Sequence, residues 1–238
     1  MLFNLFKKID CSKKILVIHI PKTAGTSLRR MLECEYGAKH IYPGGFYLQR
    51  LGGGYPLGSQ MLKDYPGLPT HKVLVGHFTA AMAEMVPIPY QAATFLREPI
   101  QRSLSMLSHF SRTRHVSVTT LLENEQFMRD NIVDFQTRIM GANGVCNPHE
   151  VGKVDDDVLA RALGRLESLD FVGITEQFPE SCRRFDRLFE TRISKSIQRI
   201  NVLRPEGNEL EEYIPRIESL IQRDQVLYDA AVTRFKVK

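Results

Sequence analysis

Short apolar runs rich in β-branched residues alternate along the chain with longer stretches of helical periodicity. Runs of this kind are typical of strands that are buried on both faces of a parallel sheet. The pattern predicts five strands, at residues 14–20 (KILVIHI), 71–78 (HKVLVGHF), 91–99 (QAATFLREP), 171–176 (FVGITE) and 198–203 (QRINVL).

Amphipathic helices are predicted between and after these strands. The first begins near Leu28, where Thr26 or Ser27 is in a position to cap it. Another begins at Pro99, because proline is well tolerated in a first helical turn. Further helices are predicted at residues 116–140, 155–168, 178–190 and 209–235, the last with an apolar stripe formed by Ile217, Leu220, Ile221, Leu227, Tyr228 and Ala231.

This alternation predicts an α/β fold in which helices cover both faces of a central parallel sheet. A chain of 238 residues is long enough to bury a sizeable core, and we predict an N-terminal extension, 1–13, followed by a single domain, 14–238. In open parallel sheets, ligands bind at the carboxyl ends of the strands, where the connecting loops meet. Candidate chemistry should therefore follow the predicted strands directly.

Composition narrows the class of ligand. The net charge of +5 and the pI near 9.0 favour an anionic ligand, but the basic residues are dispersed, which argues against a nucleic-acid-binding module. The cysteines show no CxxC pair and no metal-ligand spacing, so no metal site is expected and a reducing compartment is indicated. The segment MLFNLFKKID is too short and too polar for a signal peptide or membrane span, so we expect a cytoplasmic protein.

The loop after the first predicted strand, HIPKTAGTS, has the features of an anion-binding site. Unpaired N–H groups and the positive end of a helix dipole suit a phosphate or a sulfate. A Walker A loop reads GxxxxGK[ST], whereas here the lysine precedes the glycine, so the site lies outside that class. We predict a phosphate cradle formed by Lys22, Thr23, Ala24, Gly25, Thr26 and Ser27.

A second anion site is predicted in LREPIQRSLS, where Arg97 ends the third strand. Ser105 lies about two helical turns after it and so on a similar face. A guanidinium and a hydroxyl that converge in this way can bind an anion, the guanidinium in bidentate fashion. The alternative is that Arg97 pairs with Glu98 or caps a helix, and that Ser105 is only solvated.

His77 follows Gly76 at the end of the second predicted strand. We place that strand between the strands of the two anion loops, and this position makes His77 a candidate general base. His19, within a buried-strand pattern, is interpreted as a packed core histidine. The long loop 42–69, rich in glycine, proline and tyrosine, either closes over an acceptor or has no substrate role.

These motifs together resemble those of the sulfotransferases that use 3′-phosphoadenosine 5′-phosphosulfate (PAPS), most of all the carbohydrate type that includes heparan sulfate 2-O-sulfotransferase. The resemblance extends from Lys14 to Phe235 and is carried by HIPKTAGTS, VGHF, LREPIQRSLS, FVGITEQF and RDQVLYDAAVTRF. It implies a P-loop-like three-layer sandwich, with PAPS as the sulfuryl donor and no metal.

The resemblance also implies a role for each motif. The loop from Lys22 to Ser27 would bind the 5′-phosphosulfate, and Arg97 with Ser105 would bind the 3′-phosphate. His77 would remove the proton of the acceptor hydroxyl, while Lys22 would stabilise charge on the leaving phosphate oxygen. Weaker candidates are Gln136 and Arg138 near the acceptor and Arg204 near the nucleotide.

A carbohydrate hydroxyl is the acceptor that the resemblance favours, although a lipid, a polyketide-like alcohol and a tyrosine hydroxyl stay open. Other readings of the motifs are a P-loop-type small-molecule kinase that uses ATP and magnesium, and a non-catalytic nucleotide-binding relative. The two predicted anion sites favour PAPS, because a nucleoside triphosphate concentrates its charge on one loop and usually brings magnesium.

Overall fold

A computed structural model of the chain describes residues 14–43, 71–86, 89–144, 149, 151–199 and 208–237. Its strands form one five-stranded parallel sheet in the order β2-β3-β1-β4-β5. The strands are β1 (Lys14–Ile18), β2 (Ile41–Tyr42), β3 (Val73–Gly76), β4 (Tyr90–Leu96) and β5 (Phe171–Ile174). The predicted α/β fold with a central parallel sheet is confirmed.

Helices follow or precede each strand of the sheet. The α-helices are α1 (Gly25–Tyr36), α2 (Met82–Met85), α3 (Pro99–Arg114), α4 (Val118–Glu123), α5 (Glu125–Asn131), α6 (Phe135–Gly141), α7 (Asp156–Ser168), α8 (Phe178–Phe189), α9 (Ile214–Glu218) and α10 (Gln222–Val237). Short 3-10 helices span Ala38–His40, Thr175–Gln177, Ile193–Arg199 and Asn208–Tyr213. None of the described helices is long and apolar enough to cross a bilayer.

Alternating side chains of β1 enter two different hydrophobic layers, as the period of a strand requires. Leu16 and Ile18 pack in a layer with α6, α7 and α10, and Ile15 and Val17 pack on the opposite face with α1 and α8. The sheet therefore lies between two helical layers, in the three-layer sandwich expected from the resemblance. A third apolar cluster joins α3, α4, α5 and α9 beside the sheet.

The prediction of a fifth strand at 198–203 is wrong for its first residues, because Ile193–Arg199 is a 3-10 helix, and the remainder lies outside the described residues. The additional edge strand is instead β2, whose Ile41 and Tyr42 pair with Val73 and Leu74. Two residues carry too little periodicity to be recognised in a sequence. The N-terminal extension and residues 44–69 of the predicted loop also lie outside the described residues.

Two long predicted helices are interrupted. The 116–140 pattern comprises α4, α5 and α6, and the 209–235 pattern comprises a 3-10 helix, α9 and α10. The stripe predicted along the C-terminal helix divides between two cores, because Ile217 packs in the cluster of α3 whereas Leu227 packs against the sheet.

The interruptions coincide with a reciprocal pair of helix caps. Asp134, in a left-handed conformation with φ of 40°, accepts hydrogen bonds from Arg223 N and Asp224 N at the start of α10, at 2.9 and 3.2 Å. Asp224 in turn accepts from Gln136 N and Thr137 N at the start of α6, at 3.1 and 2.7 Å. Each aspartate therefore satisfies the N–H groups that the other helix leaves open.

Candidate functional site

The register of β1 brings the ends of three strands together. Ile18, the last residue of β1, is level with Gly76 on β3 and Thr94 on β4. His77 follows β3, and Arg97 follows β4. The prediction that the strand of His77 lies between the two anion loops is wrong, because β1, with its Lys22 loop, occupies the middle position.

The loop after β1 turns sharply into α1. Lys22 and Ala24 adopt left-handed backbone conformations, with φ of 73° and 67°. Helix α1 begins at Gly25, with Ala24 at the N-cap and no side-chain acceptor for its first N–H groups. The predicted cap at Thr26 or Ser27 is therefore wrong, and the backbone donors of this turn are available to a ligand.

The three hydroxyls of the loop have different environments. Thr23 is buried and its Oγ1 donates to Ile20 O at 2.8 Å, so this hydroxyl serves the fold of the loop. Thr26 is exposed and Ser27 is partly buried. Only these two hydroxyls are placed to supply donors to an anion.

His19 forms the floor beneath the loop. A Cβ on Gly25 would lie 1.8 Å from His19 Cδ2, so glycine is required for the helix to approach the ring. The ring also contacts that of His77 edge to face, with 4.6 Å between centroids. Burial, followed by His77, Arg29 and Lys22, lowers the pKa of His19 well below its usual value. The prediction of a packed histidine is confirmed, with the addition that it links the anion loop to His77.

The ammonium group of Lys22 lies among other cations. Burial lowers its pKa, and Arg112, Arg97 and Arg102 lower it further. Within the ranges that the structure describes, no carboxylate or carbonyl accepts a hydrogen bond from this ammonium. A partly buried cation in such surroundings is unfavourable alone and favourable once an anion joins it.

Arg97 joins the ends of β1 and β4. Its Nη1 donates to Lys22 O at 3.2 Å, and its Nε is 3.9 Å from Glu176 Oε1. The predicted alternative of a pair with Glu98 is wrong, since that carboxylate caps α3 by accepting hydrogen bonds from Ile100 N and Gln101 N. Among the described residues, Nη2 of Arg97 has no acceptor, so it is open to an anion.

Gln136 and Arg138, the two weaker candidates for the acceptor side, are both buried in α6. Gln136 Oε1 accepts from Arg97 N at 3.1 Å, and its Nε2 donates to Arg97 O at 2.9 Å. Arg138 donates to Val133 O at 3.2 Å within its own segment. Gln136 therefore supports Arg97 from below. The third weaker candidate, Arg204, lies outside the described residues.

Besides the predicted Ser105, helix α3 presents three polar residues that no sequence motif indicated, Arg102, His109 and Arg112. Arg102, Ser105, His109 and Arg112 are spaced three or four residues apart and so share one face. Arg102 Nε donates to Pro21 O, just before the anion loop, so this face is turned toward that loop. Burial lowers the pKa of His109, and Lys22 and Arg112 lower it further. The signal available in the sequence was this spacing downstream of Arg97.

Arg102 is the fully buried member of that face. Its Nε donates to Pro21 O at 3.3 Å, its Nη1 donates to Asn131 O, and its guanidinium lies 4.2 Å from the centroid of the Phe135 ring. Burial lowers its pKa to about 9. Arg102 thus fixes the start of the anion loop against α3 and α6.

His77 is partly buried. Burial lowers its pKa to about 4, with a smaller contribution from His149. The imidazole is therefore neutral near pH 7, which is the protonation state that a general base requires.

No protein-family model and no curated protein sequence matches the chain. Among solved structures, the crystal structure of a sulfotransferase from Alicyclobacillus acidocaldarius is similar, with a TM-score of 0.47 and 15% sequence identity, covering 89% of this chain and 96% of that chain. In the described part of the protein, no group of three or more His, Cys, Asp or Glu residues could hold a metal ion.

Replacing Gly25 by alanine should push the ring of His19 out of its place. We expect a loss of about 1–3 kcal/mol in the free energy of unfolding, the usual cost of overpacking, measured by urea denaturation. His19→Ala in the same chain should recover part of that loss. Gly164→Ala is the matched control, since a Cβ there meets nothing within 4 Å. If Gly25→Ala lowered the free energy of unfolding equally in the wild-type and His19→Ala chains, the clash between the added Cβ at position 25 and the His19 ring would be contradicted.

The depressed pKa of His77 predicts a pH-dependent contribution to stability. Between the folded value of about 4 and the ordinary 6.5, the unfolded chain binds more protons, so stability falls as the pH falls through this window. From pH 7 to pH 5, the free energy of unfolding of the wild type should therefore fall more than that of His77→Gln, because glutamine does not titrate. A difference independent of pH would show that His77 ionises alike in both states.

Proposed function

We propose that this protein is a sulfotransferase that moves the sulfuryl group of PAPS to an acceptor hydroxyl. The observation that carries the proposal is the ammonium of Lys22, which is partly buried among cations at an uncapped helix start. The first N–H groups of α1 and the hydroxyls of Thr26 and Ser27 supply further donors. This set of donors suits a tetrahedral oxyanion such as a phosphate or a phosphosulfate.

A second group of donors favours PAPS over a donor with a single anionic end. Arg97 and the partly buried Ser105 are on the β4–α3 side of the site, and the strand of Arg97 is the neighbour of β1. PAPS carries its 5′-phosphosulfate and its 3′-phosphate on one nucleoside. We assign the phosphosulfate to the loop from Lys22 to Ser27 and the 3′-phosphate to Arg97 and Ser105.

In the proposed reaction, the acceptor oxygen forms a bond to sulfur as the bond between sulfur and the bridging phosphate oxygen breaks. The proton of the hydroxyl passes to His77, and the negative charge that develops on the phosphate is stabilised by Lys22 and the N–H groups of the loop. The products are a sulfate ester and 3′,5′-ADP. No redox change occurs, and the proton later leaves His77 for solvent.

The electrostatics of His77 fit this assignment. Without a ligand, its pKa of about 4 keeps the ring neutral but makes it a weak base. A bound anionic nucleotide raises the pKa of a neighbouring imidazole, because negative charge favours the protonated ring. His77 would therefore become a better base when donor is present, which restricts proton removal to the complex.

A carbohydrate is the acceptor class we propose, on the resemblance of the motifs to carbohydrate sulfotransferases. We also retain the cytoplasm as the proposed location, on the cysteine usage. No metal takes part in the proposed reaction, because a sulfuryl group carries less charge than a phosphoryl group and can be stabilised by a lysine and backbone donors.

Substitution at the two anion sites should weaken binding of 3′,5′-ADP. We expect Lys22→Met and Arg97→Ala each to reduce affinity by roughly 1.5–3 kcal/mol, since each removes a charged hydrogen bond, measured by isothermal titration calorimetry. The matched control is Arg183→Ala, whose arginine pairs with Glu180 on the exposed side of α8.

Thermal unfolding with 3′,5′-ADP and with Mg-ATP distinguishes the donor classes. The proposal expects protection by 3′,5′-ADP only. Protection by Mg-ATP alone would instead identify a small-molecule kinase.

Loss of the general base should affect turnover rather than donor binding. We expect His77→Ala to lower the rate of label transfer from PAPS to a hydroxyl acceptor by roughly 10²–10⁴-fold, while the affinity for 3′,5′-ADP stays close to that of wild type. The control is His115→Asn, at the exposed end of α3 where asparagine accepts the positive φ of 54°. Near-normal turnover of His77→Ala would contradict the assignment of His77 as the general base.

A further inference from the structure

Helix α10 contacts the surroundings of Arg97 through two side chains on the same face. Asp224 and Tyr228 are four residues apart, which places them one above the other on a helix. Each begins a short series of hydrogen bonds, and both series end at Arg97 or at the residue after it. The motif RDQVLYDAAVTRF, which forms most of this helix, contributes to the family resemblance, but the sequence assigns none of its residues to the site.

The first series runs through α6. Asp224 is buried and accepts from Gln136 N and Thr137 N, which holds the first turn of α6. Gln136 then forms two hydrogen bonds to the backbone of Arg97, one to its N–H at 3.1 Å and one to its carbonyl at 2.9 Å. This series therefore fixes where the main chain of Arg97 lies.

The second series runs through the turn after β5. The hydroxyl of Tyr228 donates to Glu176 Oε2 at 2.8 Å. The other oxygen of Glu176 accepts from Glu98 N at 3.1 Å and lies 3.9 Å from Arg97 Nε. Burial and the neighbouring Glu176 raise the pKa of Tyr228, so its hydroxyl remains a donor. This series therefore limits where the guanidinium of Arg97 points.

We propose that Asp224 and Tyr228 are positioning residues for the 3′-phosphate site, through which the C-terminal helix sets the orientation of Arg97. This inference rests on the proposed function, because it takes Arg97 to bind the 3′-phosphate. Tyr228 holds Glu176 near Nε, while Nη1 is engaged by Lys22 O. The remaining Nη2 is then directed to the ligand.

Tyr228→Phe tests this role with little risk to the fold, since it removes one hydroxyl from a partly exposed side chain. We expect the Kd for 3′,5′-ADP to rise roughly two- to ten-fold, the effect of one hydrogen bond, measured by calorimetry. Adenosine 5′-phosphosulfate lacks the 3′-phosphate, so its Kd should not change. A merely structural loss would weaken both ligands alike.

A double-mutant cycle with Arg97→Ala separates positioning from general destabilisation. In the Arg97→Ala background, Tyr228→Phe should have no further effect on the Kd for 3′,5′-ADP, because the group that it orients is absent. Tyr213→Phe is the matched control, since it removes a tyrosine hydroxyl that bonds Thr119 Oγ1 at 3.0 Å. This control should leave both affinities unchanged.

Asp224→Asn tests the first series in the same assay. Its amide presents an N–H group to one of the two backbone donors, so we expect the Kd for 3′,5′-ADP to rise at least as much as in Tyr228→Phe. Asp155→Asn is the control, because Asp155 caps α7 through Val158 N at 2.9 Å, away from Arg97. If Asp224→Asn does not fold, the measurements on Tyr228→Phe still test the proposal.

The outcomes distinguish this inference from the function beneath it. Wild-type protein that fails to bind 3′,5′-ADP overturns the proposed function, and the inference falls with it. If wild type binds and Arg97→Ala weakens binding, but Tyr228→Phe equals wild type, the inference alone is overturned. Equal effects of Tyr228→Phe in both Arg97 backgrounds would also overturn it.

Discussion

Strand β1 pairs with β3 on one side and with β4 on the other, and the candidate site depends on this two-sided pairing. The shared register brings His77, the Lys22 loop and Arg97 to one edge of the sheet. A slip of one residue would turn every side chain of β1 to the opposite layer. Because both layers are filled by alternate residues of that strand, the hydrophobic core itself maintains the spacing of the polar groups.

The same edge gathers charges that oppose folding. Lys22, Arg97, Arg102 and Arg112 lie near enough to one another to lower the pKa of the lysine. The left-handed conformations of Lys22 and Ala24 add backbone strain in a region disfavoured for residues with a Cβ. Unfavourable features of this kind concentrate at functional sites. An anionic ligand would relieve the repulsion between clustered cations, which persists in the protein without a ligand. The buried contacts of Gln136 and Arg102 hold these groups in place.

The sequence predicted those features of the fold that depend on residues close together in the chain, namely strands and helix starts. The first four predicted strands, the helix at Pro99 and the helix start at Asp155 all lie within a few residues of their predicted positions. The start of α1 was misplaced because Ala24 has no capping side chain, so the rule that favours serine and threonine did not apply. Glu176 was missed as well, since its partners lie far from it in the chain.

The sequence by itself determined the fold class, the alternation of strands and helices, and the three motifs that follow the strands. These depend on side-chain period and turn chemistry, which act over a few residues. The tertiary structure alone decided that β1 is the middle strand, that Asp134 and Asp224 cap each other's helices, and that His19 lies under Gly25. Those features arise from contacts between residues distant in the chain, which no local pattern encodes.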